Sequence, residues 1–161
     1  MSKPKVPPAE RITTSFKELK SLSPDLHAAA RELSKSINNF SDKLEPLDLG
    51  VSAWANIASG ENEENGYYWS RSVGYTKLQY KWGIALRQAS GNHNDGEYDE
   101  TVWKFSEAPH WMVIESIAKL PDLFDTLIER VKDTTSKLRA RTDQANELVA
   151  ALDAITEGQE A

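Results

Sequence analysis

The hydrophobic period changes twice along the chain, and this constrains the fold more than any other feature. Ile12, Leu19, Leu26, Leu33 and Phe40 recur every seven positions, and Phe16, Ala30, Ile37 and Leu44 follow four residues after most of them. That stripe is the pattern of an amphipathic helix. From Leu49 the period becomes two: Leu49, Val51, Ala53, Ala55 and Ile57 alternate with Ser52, Trp54 and Asn56, as in a half-buried strand. The seven-residue period returns with Phe124, Val131, Leu138, Ala145 and Leu152, accompanied by Leu127, Leu148 and Ile155. Helix, strands and helix in separate blocks indicate an α+β chain: a small antiparallel sheet flanked by long amphipathic helices.

Breakers and turn residues set the boundaries. "SPDL" at 23–26 offers a cap, a first-turn proline and an acid at the positive helix end. It predicts a short helix, a break, and a longer helix from 24 to about 45. Four strands are expected at about 49–57, 67–78, 81–88 and 100–105. Placing Gln79 and Tyr80 at a turn sets Val73 opposite Leu86 and Tyr75 opposite Ile84. Neither turn residue suits a tight hairpin, which leaves room for a longer loop. "SGENEENG" and "ASGNHNDGEYD" read as polar loops. Ser106 is positioned to cap a further helix, and Pro121 to break or bend it. The chain reads as one domain over 9–156, with helices at 9–45, the sheet at 49–106 and helices at 107–156, between disordered tails at 1–8 and 157–161.

A helix from 121 to 155 spans roughly 50 Å, against about 40 Å for the diameter of a compact chain of this size. It can lie along the amino-terminal helix, project and pack on another copy, or break near Thr134-Thr135. The reading adopted combines the first two, with Phe124, Val131, Leu138, Leu148 and Leu152 forming an interface between copies. Thr134 and Arg141 interrupt the second row, so the seam is coiled-coil-like but impure.

A net charge of −6 gives no general attraction for duplex nucleic acid or anionic lipid. The absence of cysteine removes thiolate chemistry and disulfides and suits a cytoplasmic setting. No apolar run is long enough to span a bilayer, and the opening "MSKPKVPPAE" lacks the apolar stretch of a secretory signal. In "GNHNDGEYDE", His93, Asp95, Glu97 and Asp99 alternate, but Gly91 and Val102 occupy the first and twelfth places where a calcium loop needs ligands. His27, His93 and His110 lie on separate elements, and Glu61, Glu63 and Glu64 crowd one loop without an opposed partner. No metal, cofactor or catalytic constellation is expected.

The sheet supplies the other candidate site. One face gathers Trp69, Val73, Tyr75, Trp82, Ile84, Leu86, Trp103 and Phe105 and reads as core. The other is thin, and Gly74 and Gly83 on it suggest close approach of a neighbour. A planar anion lying on Trp54, with Arg87, Lys81 or Lys104 meeting its charge, is one way to fill it. The sequence therefore indicates a non-enzymatic, self-associating binding protein, an adaptor, inhibitor or accessory factor with a protein partner. The alternative is a small-molecule or nucleotide sensor or sequestering protein using the thin face.

Overall fold

The middle of the chain forms a four-stranded antiparallel sheet in the order β1-β2-β3-β4, with β1 at Ala53–Asn62, β2 at Tyr67–Leu78, β3 at Lys81–Asn92 and β4 at Tyr98–Lys104. Helix α1, Pro8–Leu44, precedes the sheet; α2, His110–Ser116, and α3, Leu120–Gln159, follow it. The computed structural model describes residues 4–159, and the architecture is α+β.

The alternation in β2 and β3 fixes which face is buried. Val73 pairs with Leu86 and Tyr75 with Ile84, and these four side chains, with Ala53 and Ala55 of β1, form the sheet side of the core. The opposite face carries the row Trp54, Gly74, Ala85 and Lys104. The hairpin closes in two residues after all: Gln79 and Tyr80 both adopt positive φ, 49° and 71°. Such a turn follows the right-handed twist of the strands, and strand pairing holds two unsuited residues in it. β1 begins at Ala53 rather than 49 and runs on through part of the expected acidic loop to Asn62, with a bulge between Asn56 and Ala58.

The two polar loops interlock. His93 N–H donates to the Gly66 carbonyl at 2.9 Å, and the Asn92 and Asn94 side-chain amides each donate to the Asn65 carbonyl at 3.0 Å.

Helix α1 contains no glycine and is continuous through Pro24, so the expected break does not occur. Proline there removes one helical hydrogen bond, but the residues around it are exposed and water can reach the freed carbonyl. The later break is real but falls slightly earlier than Pro121, in a 3-10 turn at Ile117–Lys119. Pro121 then sits in the first turn of α3, where a missing N–H costs little. Ser106 caps nothing; it lies in a 3-10 turn, Phe105–Glu107, and Pro109 precedes α2. α3 has no break at Thr134-Thr135 and continues to Gln159, past the expected start of the tail. Pro8 already belongs to α1, while residues 1–3 and 160–161 of the expected tails lie outside the described residues.

Each long helix uses only its sheet-proximal end for the core. Ile37 and Leu44 of α1, and Leu120, Leu123 and Leu127 of α3, are buried with Met112 and Val113 of α2 against the sheet. The helices do not run along one another, contrary to the reading that laid α3 on the amino-terminal helix. They touch where Phe40 meets Phe124 edge-on, ring centroids 6.0 Å apart.

Candidate functional site

Beyond their anchored ends the helices keep their apolar rows but lose their neighbours. On α1 the row that buries Ile37 and Leu44 continues outward through Leu26, Leu22, Leu19, Phe16 and Ile12, which are 52–73% exposed. On α3, every residue from 136 to 159 is exposed, including Leu138, Leu148, Val149, Leu152 and Ile155. At 1.5 Å per residue these uncovered segments, 8–26 and 136–159, are about 28 and 36 Å long. The five expected interface residues therefore divide. Phe124 and Val131 are half-buried at the anchored end, whereas Leu138, Leu148 and Leu152 lie on the uncovered part.

The thin face of the sheet is filled by the chain itself at its centre. The Trp54 indole lies on Gly74, where any Cβ would collide with the ring and would also come within 2.8 Å of the Ala53 carbonyl oxygen. The Arg87 guanidinium in turn covers the indole, 4.2 Å from its centroid. A planar ligand stacking on Trp54 has to displace Arg87 first. Alongside, the Ser52 and Thr76 hydroxyls are hydrogen-bonded at 2.9 Å.

Lys81, Lys104 and Gly83 are separated from that stack. They line an open cleft of about 570 Å³ between the end of α1 (Asn38, Ser41 and Asp42) and the β2–β3 hairpin. Its floor is set by one hydrogen bond: Ile84 N–H donates to Ser41 Oγ at 3.2 Å. The six expected ligand residues thus fall into two groups, a closed stack of Trp54, Gly74 and Arg87 and a polar cleft bearing Lys81, Lys104 and Gly83.

A third cluster lies outside both groups. Arg71 shares the core-side face of β2 with Val73 and Tyr75, and its guanidinium carbon lies 4.6 Å from the centroid of Trp69 and 4.7 Å from that of Trp111 on α2. Its Nε is buried without a hydrogen-bond partner. Among the described residues no carboxylate lies within ion-pair distance of it. The signal in the sequence was parity: Arg71 is two residues from both Trp69 and Val73, a cation on the face otherwise assigned to core.

The metal-like loop holds different contacts. His93 stacks on Tyr68, centroids 4.4 Å apart, and its Nε2 lies 3.1 Å from a Glu61 carboxylate oxygen. Among the described residues no group of three or more potential ligands is placed to hold a metal ion. No helix there is long and apolar enough to cross a membrane. No protein-family model matches the chain, and comparison with curated proteins and with solved structures gave no match.

Proposed function

We propose that this is a non-enzymatic, self-associating binding protein of the cytoplasm, an adaptor, inhibitor or accessory factor that engages other proteins. The observation that carries the reading is the continuity of each helical row from the core into the uncovered segment. Full burial of one such side chain is worth ~1.5–3 kcal/mol, or about 60–120 Å² of apolar surface at ~25 cal/mol/Å². The ten exposed large side chains on the two segments, at 52–73% exposure, then offer about 400–700 Å² per chain. A stable interface covers about 800 Å² on each partner. Association through these rows brings the apolar surface close to that figure before any polar rim is added.

A second copy is the first occupant we assign, because α1 and α3 present rows of the same seven-residue period and α3 carries the coiled-coil-like seam. Light scattering on the wild type and on Leu138→Asp tests this. The wild type is expected at a multiple of the 18.0 kDa chain mass and the variant at the mass of one chain. An unchanged mass in the variant removes α3 from the interface.

The cleft favours the alternative reading, a small anionic ligand held by Lys81 and Lys104. Lys104→Ala is then expected to abolish a ligand signal detected by native mass spectrometry of gently purified protein. This reading ranks second because Asp42 shares the cleft with the two lysines, and because Arg87 already occupies the stacking surface of Trp54 beside it.

A further inference from the structure

We propose that Trp69, Arg71 and Trp111 form a receptor for a carboxylate side chain of a protein partner, an Asp or Glu flanked by apolar residues. The proposal rests on the reading of the chain as a protein-binding module and names the chemistry one of its surfaces selects.

A guanidinium is charged at every accessible pH, and removing it from water without a counter-charge is unfavourable unless some other group meets it. Here two indole faces do so in part, through their negative quadrupoles. They leave Nε without an acceptor, and no carboxylate of the described chain reaches the group. The two rings confine the guanidinium from both sides, so less rotamer freedom is left to lose when a carboxylate arrives at its terminal Nη groups.

The surroundings have the composition of an interface centre. Trp111 is 44% exposed, and Ile114, one helical turn further along α2, is 68% exposed. Tryptophan and arginine are the residue types most enriched where binding energy concentrates, and a neighbouring apolar rim excludes water from the contact. Trp69 and Arg71 are themselves partly exposed beside Trp111. A single cation set among apolar surface suits one carboxylate with apolar neighbours.

The test uses the intact protein labelled with 15N and two capped peptides, acetyl-Leu-Glu-Leu-amide and acetyl-Leu-Gln-Leu-amide. The readouts are the Arg71 Nε–H and the Trp69 and Trp111 indole N–H resonances. The glutamyl peptide is expected to shift all three saturably, and the glutaminyl peptide to bind about tenfold more weakly, the weight of one charge-assisted contact. Arg71→Lys is expected to reduce the discrimination, because an ammonium lacks the planar fork. Equal responses to the two peptides, or none, overturn the proposal on the wild type alone, whatever the stability of the variant. Inorganic phosphate shifting the same resonances at lower concentration than the glutamyl peptide also overturns it, in favour of a phosphate ligand. Light scattering separates the two readings: loss of peptide discrimination leaves the chain's oligomeric mass untouched, and a monomeric mass leaves the peptide titration untouched.

Discussion

The hydroxyl of Ser41 on α1 accepts a hydrogen bond from the backbone N–H of Ile84 on β3 at 3.2 Å. β4 ends at Lys104, opposite Ala85, so the next outward-pointing amide of β3 has no strand to pair with. Ser41 takes the place of the missing strand and pins the helix to the sheet at the point where the core begins. Ser41→Ala leaves a buried donor unsatisfied, which costs about 1–3 kcal/mol. The melting temperature is expected to fall by roughly 2–12 °C for a chain of this size, while Ser41→Thr, which keeps the hydroxyl, falls less. Calorimetry on the two variants checks this.

Gly74 is required by Trp54. Gly74→Ala places a methyl group where the indole lies, so the ring and the Arg87 guanidinium above it must move. Overpacking of this kind typically costs ~1–3 kcal/mol. The expected signature is a lower urea midpoint together with a changed near-ultraviolet circular dichroism band from Trp54. Gly83→Ala is expected to be milder, because its added methyl meets only Ser41 Oγ, at an ordinary 3.5 Å.

The β2–β3 hairpin holds two non-glycine residues in the left-handed region, Gln79 and Tyr80. That conformation costs ~1–2 kcal/mol per ordinary residue. Replacing the pair by Gln79→Asn and Tyr80→Gly gives the turn the residues it favours and is expected to stabilise the protein by ~1–2 kcal/mol. Tyr80 is 96% exposed, so little packing is lost. Denaturant titration of the double variant measures the gain.

Tyr75 gives a pH dependence. Burial, with smaller contributions from Glu45 and Asp48, raises its hydroxyl above the ordinary 10.0. The folded chain therefore holds this proton more tightly than the unfolded chain. The resulting stabilisation is complete below the unfolded value and disappears as pH rises through the higher folded one. Urea midpoints taken below and above pH 10.0 are expected to fall more steeply for the wild type than for Tyr75→Phe.

The fold class, the four strands and the β2–β3 register were legible because hydrophobic period and strand parity are local properties. Val73 opposite Leu86 follows from placing one turn. The break at Pro24 was misread because a proline penalises a helix without forbidding it, and the exposed neighbours of Pro24 let water take the orphaned carbonyl. Ser106 was misread as a cap because capping depends on where the backbone becomes helical, which here waits for His110. The Trp54–Gly74–Arg87 stack was half visible: glycine signalled close approach, but which side chain approaches depends on β1 pairing across the sheet. The Arg71 cluster draws on β2 and α2, elements 40 residues apart at Arg71 and Trp111, and no linear motif joins them.

The proposed interface consists of the uncovered helix segments 8–26 and 136–159. Most helical stability in a protein comes from tertiary packing, so an unpacked segment opens readily, whereas one packed in an oligomer opens only with its partner. Hydrogen exchange measured by mass spectrometry over a range of protein concentrations separates the two. Peptides from both segments, and not those from β2 and β3, are expected to gain protection as concentration rises. Exchange in 136–159 as fast as in a solvated lone helix, and independent of concentration, would contradict it.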